Sequence, residues 1–411
     1  MTSKVVVARA PAGAIAGRDD GRSRRFLGIP YAEAPVGERR FAPPVPRDRF
    51  TEPFDASRHG ATAQRVPLFA ATTIPEPSIP GDDVLNLSVY APRRDDGAPA
   101  APVLVWFHGG GFLAGSQASP WYDGRCFARD GVVCVTVGYR LGLDGFAVLD
   151  GVPANLGLRD LLLALDWVRE NIAAFGGDPG RVTIAGQSAG GAAVLALLSS
   201  PLGRGRFHRA VSISGGLFEV DDTQARAFGV RLADSLGVAA TREGFAACDA
   251  EPIQRAVLGL RDQRDDVTAV APCVGDDLLP TPIADGLARY GHDVPLLIGA
   301  TADEFDYPAA PAAVREAGTR ATDTLFRSAC TRSAAARRDT AAGTWLYSFE
   351  WPSPELCGAA HCIDVPFFFD LLDAPGVAEV LGPNPPARLA SAMHADLVEF
   401  VRGREPSWPR A

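Results

Sequence analysis

The chain has 411 residues with 43 Gly and 34 Pro, well above the roughly 12% that these two residues average. So many turn-formers argue against a helical bundle or coiled coil, while 47% hydrophobic and 22% charged residues exclude general disorder. A net charge of −9, with Lys4 the only lysine, suits neither nucleic acid nor an anionic membrane surface, and the arginine-for-lysine bias reads as GC-rich codon usage.

The start, Met1 to Arg9, has a four-residue apolar run, Val5 to Ala8, too short for a signal-peptide core. No stretch approaches the roughly 18 apolar residues of a membrane span. A cytoplasmic protein is expected. Phe26-Leu-Gly-Ile29 and Val84-Leu-Asn-Leu-Ser-Val-Tyr90 are strands in a Pro-rich first hundred residues, read as an antiparallel edge. Pro102-Val-Leu-Val-Trp-Phe107 is apolar at every position and ends in His108-Gly-Gly-Gly-Phe112. Strands follow at 131–137, 181–185, 209–213, 294–299 and 344–349. Continuous apolar runs fit strands buried on both faces, as in parallel sheets.

Helices lie between them. Leu161, Leu165, Val168 and Ile172 predict one over 156–174, and the small apolar residues of 188–199 predict one buried against the sheet. Leu389, Met393, Leu397 and Phe400 mark a C-terminal helix. The alternation implies an α/β fold with a mostly parallel sheet. Residues near 217–290 and 306–342 read as cap-like insertions in one domain spanning 1–411. Arg93-Arg94 and Arg337-Arg338 read as solvated loop charges. Seven scattered cysteines do not form a disulfide framework, and no CxxC pair suggests zinc.

Gly186-Gln-Ser-Ala-Gly190 joins the strand 181–185 to the helix that follows. A sharp strand-to-helix turn would expose the Ser188 hydroxyl beside a helix N-terminus, which favours developing negative charge. A capping serine in a Gly-rich helix start is the alternative. His108-Gly-Gly-Gly111 would let backbone amides converge on an oxyanion. A phosphate loop is the rival there, but GxxxxGK[ST] is missing.

A serine needs a base, and the base a carboxylate. Of six histidines, His361 lies in the small-residue loop Gly358-Ala-Ala-His-Cys362, beyond strand 344–349. His59, His108, His208, His292 and His394 read as structural or surface residues. Glu304, in Ala302-Asp-Glu-Phe305, follows strand 294–299, with Asp303 and Asp306 as close rivals. Both loops sit at carboxyl ends of strands, where open α/β sheets place their ligand sites.

In this order the motifs resemble those of the type-B carboxylesterases, which include para-nitrobenzyl esterases and cholinesterases. The likeness covers Phe26-Leu-Gly-Ile-Pro-Tyr-Ala32, Arg40 to Pro44, Asp82 to Leu87, His108 to Phe112, Asn155 to Asp160, Phe175 to Pro179, Gly186 to Gly190, His361 to Phe368, and Trp408-Pro409. It implies an α/β-hydrolase fold and hydrolysis of small-molecule carboxylic esters through an acyl-enzyme, without metal or cofactor. By the resemblance Ser188 is the nucleophile, Glu304 the acid, His361 the base, and the Gly110, Gly111 and Ala189 amides the oxyanion hole. Phe112 and Gln187 are candidate substrate contacts; Trp121 could line the acyl pocket. Ion pairs Arg140–Asp160 and Arg40–Asp82 are implied as scaffold features.

Four departures stand out. Gln187 replaces a glutamate, removing a negative charge beside the site and favouring anionic over cationic substrates. Phe305 stands where glycine is usual, Cys362 follows the histidine where a smaller residue is common, and Val84 replaces a half-cystine. The chain is also short for the family. Two other functions stay open: a biosynthetic enzyme on this fold (acyl transfer, lactonisation, elimination or cyclisation) and a non-catalytic binding protein. A monomer and a dimer are equally compatible with the sequence.

Overall fold

In the computed structural model, which describes residues 3–63, 66, 73–93, 97–262, 270–306 and 311–411, the apolar runs become neighbours in one eleven-stranded sheet. The strands are β1 (Lys4–Ala10), β2 (Gly13–Asp19), β3 (Ser23–Pro30), β4 (Phe54–Asp55), β5 (Asn86–Pro92) and β6 (Ala101–Phe107). β7 (Val133–Val137), β8 (Gly177–Gln187), β9 (Arg209–Ile213), β10 (Leu296–Thr301) and β11 (Thr344–Phe349) complete it. Their order is β1-β2-β3-β5-β7-β6-β8-β9-β10-β11, with β4 beside β2. From β7 to β11 every pairing is parallel; β1, β2, β3 and β5 form the antiparallel edge.

β6 shows why the central strands are apolar throughout. Val103, Val105 and Phe107 enter the hydrophobic layer on one face, and Leu104 and Trp106 the layer on the other. The first layer holds α1 (Leu156–Asn171) and α2 (Ala189–Leu198). The second holds α7 (Ala387–Val401) and the Phe367-Phe-Phe369 run, with Phe369 edge-on to Trp106 at 4.8 Å.

Between β9 and β10 run α3 (Asp222–Leu236) and α4 (Ala250–Asp262). Between β10 and β11 run α5 (Ala312–Ala321), a π-turn (Thr322–Arg327) and α6 (Ser328–Ala336). Parts of both predicted insertions, 263–269 and 307–310, lie outside the described residues, as does Arg94. Among the described residues no helix is long and apolar enough to cross a membrane, and all seven cysteines are free thiols.

The Arg140–Asp160 pair forms as expected. Both side chains are buried, Arg140 Nε donates to Asp160 Oδ2 at 2.8 Å and Nη2 to Oδ1 at 2.6 Å, and Nη1 caps the Ala42 carbonyl at 2.7 Å. Arg40 instead pairs with Asp144 at 2.8 Å, not with Asp82, because its guanidinium turns toward the carbonyls of 245–248 and donates to Cys248 O at 2.5 Å. Arg337 is not a solvated charge. It is buried, donating to the Gly291 carbonyl at 2.6 Å, the Val294 carbonyl at 2.5 Å and Thr344 Oγ1 at 3.0 Å, so it tidies backbone acceptors at the foot of β10 and β11.

Candidate active site

Ser188 is the single residue between β8 and α2. Its amide donates to the Ile213 carbonyl at 2.9 Å, and its own carbonyl accepts the first helical bond from Ala192 at 2.8 Å. Held from both sides, it takes φ 56°, ψ −122°, a left-handed backbone rare outside glycine. The turn needs its flanking glycines: a Cβ at Gly190 would collide with the Phe107 carbonyl.

His361 and Glu304 arrive from the ends of β11 and β10, two strands paired in parallel. Two backbone bonds join their loops: Asp303 N to Ala359 O at 3.0 Å and His361 N to Glu304 O at 2.8 Å. The Asp303 carboxylate accepts from Ala359 N at 2.8 Å, and Asp306 accepts from Thr319 Oγ1 at 3.0 Å. These two rivals therefore brace loops, and Glu304 alone of the three reaches the imidazole. Its Oε2 accepts from His361 Nδ1, its Oε1 accepts from Thr301 N at 2.9 Å, and its side chain is fully buried. With Nδ1 protonated toward the carboxylate, Nε2 of the neutral ring is an acceptor. Ser188 Oγ lies 2.9 Å from it. Burial works against the imidazolium, while the Cys362 sulfur and the Glu304 carboxylate work for it; the net effect pushes His361 well above its ordinary pKa.

The glycine loop packs directly on the serine. A Cβ on Gly109 would stand 3.0 Å from Ser188 Cβ. Gly110 (φ 114°) and Gly111 (φ 62°) both have left-handed backbones, and the carbonyl of Gly110 accepts from Leu113 and Ala114 at 3.0 and 2.9 Å. Ala189 opens α2, so its amide is one of the helix's unpaired N–H groups. His108 holds the loop from below. Its Nδ1–H donates to the Gly109 carbonyl at 2.8 Å, its ring stacks on Tyr139 at 4.6 Å, and burial lowers its pKa to about 4.

The two substrate candidates lie deeper. Gln187 is buried, with Nε2 2.6 Å from Cys362 Sγ and 3.3 Å from His361 Nε2, so it contacts the imidazole and not an open surface. Phe112 is buried against Phe146 at 4.6 Å. Trp121 is buried too, its Nε1 donating to the Pro375 carbonyl at 2.9 Å. His394 is a structural histidine, bonded to the Phe368 carbonyl at 2.7 Å and to Asp130 Oδ2 at 3.0 Å.

Three further residues surround the imidazole: Phe305, a departure from the family pattern, Asp364, within the His361 to Phe368 motif but given no role there, and Phe326, in no motif. Phe305 and Phe326 lie with ring centroids 5.0 and 5.1 Å from it. Asp364, three residues beyond His361, is buried, accepts from Tyr347 Oη at 3.0 Å, and has its pKa raised by burial and by Glu304 to about 7. Asp364 could have been marked by its i+3 spacing from the histidine. Phe326 could not, since it sits in a stretch with weak periodicity. Among the described residues no three or more His, Cys, Asp or Glu side chains gather as metal ligands do.

The sequence model of the Carboxylesterase family matches residues 3–320, a span that includes the glycine loop, Ser188 and Glu304. The para-nitrobenzyl esterase of Bacillus subtilis (strain 168) is 31% identical over 464 aligned positions, covering 100% of this chain and 93% of that protein. Those 464 positions exceed the 411 residues here by 53, so the relative carries segments without a counterpart in this chain. The phenmedipham hydrolase of Pseudarthrobacter oxydans is 31% identical, covering 98% of this chain and 92% of that one. Among solved structures, a thermophilic PNB esterase superposes with TM-score 0.90 at 29% identity, covering 98% and 93% of the two chains. A carboxylesterase of Geobacillus stearothermophilus does so with TM-score 0.86 at 33% identity and the same coverage. The sheet and its crossovers are those of the α/β-hydrolase fold.

Proposed function

The chain belongs to the carboxylesterase family and is a carboxylic ester hydrolase, and on that footing we propose that it works through an acyl-serine formed on Ser188. The observation that carries this reading is the line of contacts from buried Glu304 through His361 to Ser188 Oγ, 2.9 Å from the imidazole. His361 takes the serine proton as Oγ attacks the ester carbonyl, and Glu304 stabilises the imidazolium. Negative charge grows on the former carbonyl oxygen, where the amides of Gly110, Gly111 and Ala189 receive it. One such donor is worth roughly 3–4 kcal/mol of barrier. The alcohol leaves with the proton from His361. Water, deprotonated by the same imidazole, then attacks the acyl group and returns Ser188.

The substrate is a small-molecule carboxylic ester. Gln187 puts a neutral amide beside the imidazole in place of a carboxylate at that position, which removes an attraction for cationic alcohols. We read the described chain as one hydrolase unit, since both hydrophobic layers share the same sheet and both insertions return to it.

A Ser188→Ala variant tests the assignment. Turnover of a short p-nitrophenyl ester is expected to fall by roughly 10⁴-fold or more, with the melting transition retained. A fluorophosphonate probe should add one adduct to the parent protein and none to the variant. Undiminished turnover by Ser188→Ala would reject the nucleophile.

A further inference from the structure

The chain between β10 and β11 does more than cover the sheet. α5, the π-turn and α6 form a continuous rod, and the rod is bolted to the loop that carries Glu304. α5 passes so near that a Cβ at Gly318 would collide with the Phe305 carbonyl. Thr322 Oγ1 accepts from Phe305 N at 3.1 Å and donates to Gly318 O at 3.0 Å. Arg327 Nη2 donates to the Ala302 carbonyl. Loop 302–305 is thus held at three successive levels of the rod.

Phe326 lies within the π-turn, a feature that re-aims side chains and recurs at functional sites. Its buried ring stands 5.1 Å from the His361 imidazole, Phe305 stands 5.0 Å from it, and the two phenyl rings are 5.6 Å apart. Three near-equal separations make a triangle, so both phenyl rings lie to one side of the imidazole as a wall. Phe218 meets Phe326 edge-on at 6.1 Å and backs that wall.

We propose that Phe326 and Phe305 are positioning residues that fix the tilt of the His361 ring. The hydrogen bonds at Nδ1 and Nε2 define an axis through the imidazole, and bonds along one axis cannot stop the ring rocking about it. A lateral wall can. The inference rests on Ser188, His361 and Glu304 being the acyl-transfer machinery. It also identifies the step most dependent on the wall. Before acylation the ring is held at both nitrogens. Once Oγ is esterified the serine has no proton to donate, Nε2 keeps only the longer 3.3 Å contact with Gln187, and Glu304 and the aromatic wall carry more of the hold on the imidazole until it deprotonates water.

Phe326→Leu, which keeps bulk and removes the ring, should therefore slow deacylation more than acylation. With a p-nitrophenyl ester kcat should fall about tenfold and KM should fall with it. kcat/KM should change little, and a burst of p-nitrophenol near one per enzyme should appear. Phe326→Tyr should restore the parent partition. Should Phe326→Leu fail to fold, half-buried Phe305→Leu is expected to show the same burst. Unchanged kcat in the folded variant, or a loss of kcat/KM without a burst, would overturn the proposal. Retained turnover by Ser188→Ala strikes at the underlying mechanism instead. Inactive Ser188→Ala beside an unaffected Phe326→Leu strikes at the wall alone.

Discussion

The carboxamide nitrogen of Gln187 stands 3.3 Å from His361 Nε2 and 2.6 Å from Cys362 Sγ. A neutral donor therefore shares the Nε2 end of the imidazole with Ser188, opposite the Glu304 end. Gln187→Glu would place a carboxylate there and favour the imidazolium. A base works only when unprotonated, so the acidic limb of kcat/KM should move to higher pH by about one unit. A pH–rate series across both proteins reads this directly, and an unmoved limb would show that position 187 is electrically remote from the base.

His361 is itself pushed upward, burial being outweighed by the Cys362 sulfur and the Glu304 carboxylate. The acidic limb of the parent enzyme should accordingly be centred above about 6.5, the ordinary imidazole value. Glu304→Gln removes the carboxylate's charge. Its limb should shift to lower pH while kcat drops roughly 10³–10⁴-fold. A parent limb centred below the ordinary value would contradict the coupling of these two side chains.

Arg140 and Asp160 are sealed from solvent, so neither charge can turn to water when the other is removed. Asp160→Ala should cost about 3–5 kcal/mol, the usual penalty for stranding one member of a buried pair. Urea denaturation followed by fluorescence measures it. A loss under about 1 kcal/mol, the range of exposed pairs, would mean that water or another carboxylate reaches Arg140.

Asp364 should make the fold's stability depend on pH in an unusual direction. Its carboxyl is raised to about 7 in the folded chain, against an unfolded value of 3.8. Between those values the folded state holds a proton that the unfolded state has released. The stabilisation is full at the acid end of the window and fades as pH rises through 7. Asp364→Asn should flatten that decline and stabilise the protein at pH 8 by an amount on the order of 3 kcal/mol. Parallel stability curves for the two proteins would show that Asp364 ionises normally.

What the sequence discloses, and what it hides, follows from the range of the interactions. β6 is legible because both faces of one short strand are apolar, and Gly186 to Gly190 because the turn's chemistry is local. Pairing β1 with β2 is less so: Val5 and Val7 are 61% and 50% exposed, so this hairpin has no clean alternation to betray it. The partner of Arg40 is a choice between Asp82 and Asp144 that only tertiary structure makes. Arg337 looks like surface charge because its acceptors are backbone carbonyls, which every residue has. Phe326 is hidden for a different reason. The π-turn breaks the 3.6-residue rhythm by which helical side chains are assigned to a face.

The left-handed backbone at Ser188 sets reactivity against durability. A non-glycine residue held there carries on the order of 1–3 kcal/mol of local strain. Glycine would relieve that strain and leave the molecule chemically inert. A lineage released from the need to turn over esters would therefore gain robustness by losing its hydroxyl, and the sturdiest descendants of this scaffold would be pseudoenzymes.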